Sequence, residues 1–136
     1  MLFVVAAALT NERGEILLQK RPEGRSMAGL WEFPGGKVEH GETPESALIR
    51  ELREELCIKV EAADLIPITF ASQASVKVQD TDSNHLLLLL YICRKWQGVP
   101  IATEAPEMAW TTLNDMRRLA MPPADAPFIG ILEKLV

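Results

Sequence analysis

Glu51, Glu54 and Glu55 stand at i, i+3 and i+4 within the stretch Arg50-Glu51-Leu52-Arg53-Glu54-Glu55-Leu56, whose composition is helical. At that spacing the three carboxylates share one helix face. Carboxylates so crowded repel one another and raise each other's pKa unless positive charge sits among them. Oxygen-only ligands on a rigid element suit Mg²⁺, with Mn²⁺ as a substitute, far better than zinc. The residues read as a helix that holds divalent metal. A solvated surface helix laced by i,i+4 Glu–Arg pairs would account for this stretch alone. It leaves the Gly35-Gly36 loop and the upstream Glu42 unexplained.

The helix that must carry these side chains has a clear start. Thr43 can cap it and Pro44 suits the first helical position, so the pattern predicts a helix from about Pro44 to Leu56. Leu48, Leu52 and Leu56 recur at i, i+4 and i+8 and supply its core-facing stripe. Ahead of it, residues 2–9 and 15–20 read as strands joined in a hairpin by the turn Asn11-Glu12-Arg13-Gly14. Residues 21–29 read as loop, and Leu30-Trp31-Glu32-Phe33 as a short extended lead into Pro34-Gly35-Gly36. After it, residues 58–72 read as strand and turn with Pro67 as a break, and residues 73–84 as a polar loop or protruding hairpin end. Residues 85–96 are the strongest strand, their leucines 86–90 pointing to burial on both faces. Trp110 belongs to another short strand, residues 113–119 to one or two helical turns, and residues 126–135 to a closing helix. Mixed strands with a few helices make the class α/β or α+β.

At 136 residues the chain is one domain with room for a respectable core. Its 48% hydrophobic and 24% charged residues are ordinary for a soluble globular protein. A net charge of −5 argues against stable nucleic-acid binding, which needs a basic patch or stripe. An acidic protein can still act on a polyanion if metal ions neutralise the phosphates. Cys57 and Cys93 give no disulfide framework and no zinc spacing, so a reducing cytoplasm is expected. Leu2 to Leu9 is apolar but short, lacks a basic lead-in and runs straight into a turn, so it reads as a buried strand rather than a signal peptide. No run is long and uncharged enough to span a membrane.

Gly36, Glu42, Arg50, Glu51, Leu52, Glu54, Glu55 and Ile58 resemble the Nudix box, G-x5-E-x7-R-E-U-x-E-E-x-G-U with U aliphatic, at every spacing. Cys57 is the one departure, standing where the box has glycine. The resemblance extends over residues 1–136 and looks like the MutT-like branch. It is carried there by Arg21, by Glu32 to Lys37, by Trp96 followed by Gly98, and by Pro122-Pro123-Ala124-Asp125. The resemblance implies an α/β/α Nudix sandwich in a single domain. It also implies a Mg²⁺-dependent pyrophosphohydrolase of nucleoside triphosphates, notably oxidised ones such as 8-oxo-dGTP, with water attacking at the β-phosphorus, and a monomer is expected.

By position, the resemblance assigns the metal ions to the Gly35 carbonyl and to Glu51, Glu54 and Glu55. Glu104 becomes a further ligand or general base, although a solvated loop carboxylate reads equally plainly and Ala105 and Pro106 depart from the family there. Arg50 would orient Glu51 and Glu54 by ion pairing. Glu42 would steady the loop–helix junction and Gly36 the loop itself. Lys37 is a candidate phosphate contact. Arg21, Phe33 and Asp125 fall where relatives contact the nucleobase; Phe33 could instead be core, and Asp125 could instead cap the last helix. At the position of Asp125 the best-known MutT-like relative carries asparagine, whereas relatives that cleave cytidine triphosphates resemble this chain in carrying Pro-Ala-Asp. An ionised aspartate only accepts, so it could take N7–H of 8-oxoguanine or the amino group of cytosine. That leaves (d)CTP or modified cytidine triphosphates as the alternative substrate, and a non-catalytic Nudix-fold recognition module as the distant one. Cys57 predicts slight strain or a different cap, and neither cysteine is expected to react. His85 reads as a strand-end or rim residue.

Overall fold

A computed structural model describes residues 1–25, 27–74 and 85–135. Strands β1 (Leu2–Leu9), β2 (Ile16–Lys20), β3 (Trp31–Glu32) and β4 (Gly35–Lys37) precede helix α1 (Pro44–Leu56). Strands β5 (Ile66–Ala74), β6 (His85–Cys93) and β7 (Met108–Thr111) and the short helices α2 (Leu113–Met116) and α3 (Phe128–Glu133) follow. They form two sheets, ordered β4-β1-β6-β5 and β3-β2-β7. β1 runs parallel to β6 and antiparallel to β4.

Alternation along the two central strands builds two cores. Val5, Ala7, Leu9, Tyr91 and Cys93 pack beneath Ala47, Leu48, Leu52 and Leu56 of α1. Ala6, Ala8, Leu88, Leu90 and Ile92 face Met116, Phe128 and Leu132 of α2 and α3. Helices on both faces make the expected α/β/α sandwich. The leucine run follows the same logic, with Leu88 and Leu90 buried on one side and Leu89 half-buried on the other. Among the described residues no helix is long and apolar enough to cross a membrane.

The structure corrects several local expectations. Residues 2–9 and 15–20 do not form a hairpin ladder: a single bridge, Thr10 to Ile16, joins them before the strands part into different sheets. Both edges of β1 are taken, by β4 and β6, so β2 has nowhere to pair except with β3 and β7. Pro67 does not break a strand. It sits inside β5 beside a bulge, on an edge strand where the missing N–H costs no ladder bond. Gln73 and Ala74 belong to that strand, while residues 75–84 lie outside the described residues. The closing helix is shorter than expected because Pro122 to Pro127 fold as successive turns, with Pro127 as its cap.

Candidate active site

Helix α1 starts where the sequence places it. The Thr43 hydroxyl accepts from the Ser46 amide at 3.1 Å, and the Ser46 hydroxyl accepts from the Thr43 amide at 3.0 Å, a reciprocal capping box. At the far end Cys57 takes the left-handed conformation at φ 58°, the strain that a missing glycine implies. The carbonyls of the last turn are met by the 101–103 segment. Ile101 and Thr103 donate their amides to Leu56 and Glu55, and the Thr103 hydroxyl donates to the Glu54 carbonyl at 2.8 Å. This docking brings the neighbouring Glu104 to the glutamate end of α1. Sequence reasoning missed Thr103; its hydroxyl one residue before an acidic candidate was the available signal.

Arg50 organises the carboxylates. Its Nε and Nη2 donate to the two oxygens of Glu42 at 2.8 and 2.9 Å, and its Nη1 donates to Glu51 at 2.8 Å and Glu54 at 3.3 Å. Nη2 also donates to the Lys37 carbonyl at 3.1 Å, which clamps β4 to the helix. Glu42 accepts from the Glu39 amide as well, and the Arg50 guanidinium holds its carboxyl down at a pKa of about 2. Glu42 and Arg50 thus tie the loop to the helix. Lys37 is exposed.

Glu55 lives in a different environment. Its Oε2 accepts from the Gln19 side-chain amide at 2.8 Å and from the Gly35 amide at 3.2 Å. Burial pushes its pKa up to about 8, with Glu51 and Glu32 adding to the rise. Glu51 is also raised, first by burial, with the charge of Glu54 adding to the rise. The three box glutamates share a helix face but do not converge on one point among the described residues. Arg50 draws Glu51 and Glu54 to itself, and Glu55 turns to Gln19 and Gly35.

The glycines show how closely the loop hugs this face. A Cβ on Gly36 would stand 2.4 Å from the Glu51 carboxyl carbon, and one on Gly35 would stand 1.9 Å from the Val5 carbonyl oxygen. Glycine at 36 lets the loop approach the Glu51 carboxylate, and glycine at 35 lets it press against the β1 backbone. Hard oxygen donors of net negative charge, with a glycine backbone pressed against them, fit a divalent cation such as Mg²⁺. Glu51, Glu54, Glu55 and the Gly35 carbonyl are the groups available to hold it.

Glu104 is 67% exposed and pairs with Arg25 at 3.4 Å. It lines one small cleft together with Gln19, Lys20, Glu32 and Glu55. The structure therefore brings it to the rim of the glutamate site rather than into the carboxylate cluster. Beyond the cleft, Arg21 pairs with Glu32 at 2.8 Å. Asp125 is 7% exposed and accepts from the Phe33 amide at 3.3 Å. Burial raises its pKa to about 7, Glu32 adds to the rise, and burial raises Glu32 as well. Asp125 does not cap the last helix. Phe33 is not an open stacking face: its ring is 3% exposed and packs on Phe128. Its amide is taken by Asp125. Gln19 and Glu32 complete the site and were not assigned roles from sequence; a lone polar residue in the apolar run of β2 was the signal for Gln19.

A NUDIX-domain family model matches residues 2–130. The chain is 34% identical over 134 residues to the 8-oxo-dGTP diphosphatase of Escherichia coli (strain K12), covering 98% of each chain. It is 33% identical over 125 residues to the CTP pyrophosphohydrolase of the same organism, covering 92% of this chain and 87% of that protein. The solution structure of the E. coli ORF135 protein superposes with a TM-score of 0.82 at 32% identity, covering 99% of this chain and 90% of that one.

Proposed function

The chain belongs to the Nudix family, and from that premise we propose that it hydrolyses nucleoside triphosphates to the monophosphate and pyrophosphate, with oxidised purine nucleotides such as 8-oxo-dGTP as its substrates. The observation that carries this reading is the apposition of Glu51 and Glu55 against Gly35 and Gly36, with Arg50 fixing Glu51 and Glu54. Bound there, Mg²⁺, or Mn²⁺ in its place, supplies charge neutralisation and Lewis-acid polarisation of a phosphate chain. The protein's own part is positioning. Arg50 orients two carboxylates, Gly35 and Gly36 let the loop pack against β1 and Glu51, and Lys37 offers a cation at the edge. To Glu104, at the rim beside Thr103, we assign the role of base or further ligand.

Beyond the cleft, we assign recognition of the base to Arg21 and Asp125, with the Phe33 amide holding the Asp125 carboxylate. An Asp125 that titrates near neutrality accepts when ionised and can also donate when protonated. The same carboxylate favours one second reading, a cytidine triphosphate substrate whose amino group it would accept. We further assign the enzyme to nucleotide-pool sanitation in support of DNA replication and repair. On this reading it is a cytoplasmic monomer with a small-molecule substrate and no stable hold on nucleic acid or membrane.

The test is kcat/KM with Mg²⁺ for 8-oxo-dGTP, dGTP, dCTP, CTP and 5-methyl-dCTP, following pyrophosphate. Preference for 8-oxo-dGTP over dGTP of about tenfold, or about 1.4 kcal/mol, supports the first reading. Preference for cytidine nucleotides supports the second. A Glu54→Gln variant that leaves the protein's biological activity untouched would sink both and leave a non-catalytic recognition module.

A further inference from the structure

Strand β2 is buried from Ile16 to Gln19, and Gln19 is the polar exception at 6% exposed. A buried amide costs free energy unless its hydrogen bonds are met. In the ladder Gln19 sits opposite Glu32 of β3 and Met108 of β7. Its side chain reaches out of the second sheet to α1, where Nε2 donates to Glu55 Oε2 at 2.8 Å. The Gly35 amide donates to that same oxygen from β4 at 3.2 Å. The Glu55 carboxyl is thus held by two donors from two different strands.

A glutamate side chain on a helix has several rotatable bonds and no orientation of its own. Two fixed donors on one oxygen remove that freedom and leave the other oxygen uncommitted by them. The donor's chemistry also matters. Arg50 stabilises its carboxylates by neutralising them, and any cation must compete with it for Glu51 and Glu54. Gln19 is neutral, so it orients Glu55 without cancelling the charge a metal ion needs.

We propose that Gln19 is a positioning residue, which holds Glu55 in the orientation from which that carboxylate takes a divalent cation and couples the second sheet to the glutamate helix. This rests on the reading of Glu55 as a metal ligand. Hydrogen-bond partners that orient metal ligands typically contribute about ten- to a hundredfold in metal affinity.

The test is Mn²⁺ binding by calorimetry or by electron paramagnetic resonance on the full chain, for the parent, Gln19→Met, Glu55→Gln and the double variant. Methionine keeps the side chain's length and apolar fit while removing the donor, and the melting temperature reports whether the fold is kept. The expected result is a Mn²⁺ affinity about tenfold weaker in Gln19→Met, with no further loss when that change is added to Glu55→Gln. Turnover in Gln19→Met should recover at high Mg²⁺, a rescue that a purely structural defect would not show. If Gln19→Met binds Mn²⁺ as the parent does while Glu55→Gln does not, the positioning role is overturned and the ligand reading stands. If neither substitution changes Mn²⁺ affinity, the ligand reading falls and takes the positioning role with it. Should Gln19→Met unfold, Gln19→Leu and Gln19→Asn give the same comparison; equal affinity in whichever of them folds overturns the role.

Discussion

The segment from Glu32 to Lys37 has acidic groups at both ends, and the protein treats them in opposite ways. At the Lys37 end one guanidinium serves Glu42, Glu51 and Glu54 at 2.8 to 3.3 Å and reaches toward Glu39 at 3.9 Å. At the Phe33 end Asp125 is more deeply buried and has one long bond, from a backbone amide at 3.3 Å. The nearest pair there, Arg21 with Glu32, leaves Asp125 protonating near neutrality. The guanidinium holds Glu42 low, while burial outweighs it at Glu51 and, with no guanidinium bonded to it, raises Asp125 further. The first arrangement suits a permanent cation, and the second suits a base edge with its own donors and acceptors. Glu55 lies between the two regimes, buried like Asp125 but facing the metal side.

Substitutions in the first region should have the largest consequences. Glu51→Gln or Glu54→Gln is expected to lower kcat/KM on the order of a thousandfold while leaving the fold intact, since each removes charge from where phosphate is neutralised. Arg50→Lys cannot reproduce the forked contacts to Glu42. It should lower the melting temperature modestly and let the Glu42 pKa climb from about 2 toward the ordinary carboxylate range. Thermal melts and carboxyl NMR titration would show both effects. If Arg50→Lys changes neither, the clamp does not hold the region together.

The second region predicts a pH dependence of opposite sign. Glu42, with its pKa lowered, contributes stability that is present above about pH 4.5 and lost as pH falls toward about 2. Asp125 and Glu55, with pKa values raised to about 7 and about 8, bind protons more tightly folded than unfolded. Without metal, stability should fall as pH rises from about 4 to about 8, and Asp125→Asn should flatten that fall by on the order of 1 to 3 kcal/mol. Denaturant melts across that range, with EDTA present, check the sign. Metal binding should release a proton near neutral pH, because Glu55 must ionise to coordinate. Calorimetry in buffers of different ionisation enthalpy counts that proton.

The smallest effect belongs to Cys57. Restoring glycine at φ 58° should stabilise the protein by about 1 kcal/mol with catalysis unchanged. A destabilised Cys57→Gly would mean that the cysteine makes contacts worth more than its backbone strain.

Helix α1 was readable in sequence because its determinants are local. Thr43, Pro44 and the leucines at i+4 spacing act within one element, and so do Arg50 and the glutamates. The β1–β2 hairpin was misread because pairing is decided by which edges are free, and β1's edges are taken by strands far along the chain. Gln19 meets Glu55 across 36 positions and Asp125 meets Phe33 across 92. Such encounters leave only a weak trace, a polar residue in an apolar run or a carboxylate between prolines. Phe33 shows the reverse: an aromatic beside the glycines invited a stacking role, yet the space around Phe128 claims its ring.

The most direct test of the central claim is product analysis by ³¹P NMR after turnover of 8-oxo-dGTP with Mg²⁺ in ¹⁸O-labelled water. The account predicts 8-oxo-dGMP and pyrophosphate, with the label in pyrophosphate alone and turnover abolished in Glu54→Gln. Release of orthophosphate, label in the monophosphate, or undiminished turnover in Glu54→Gln would contradict it.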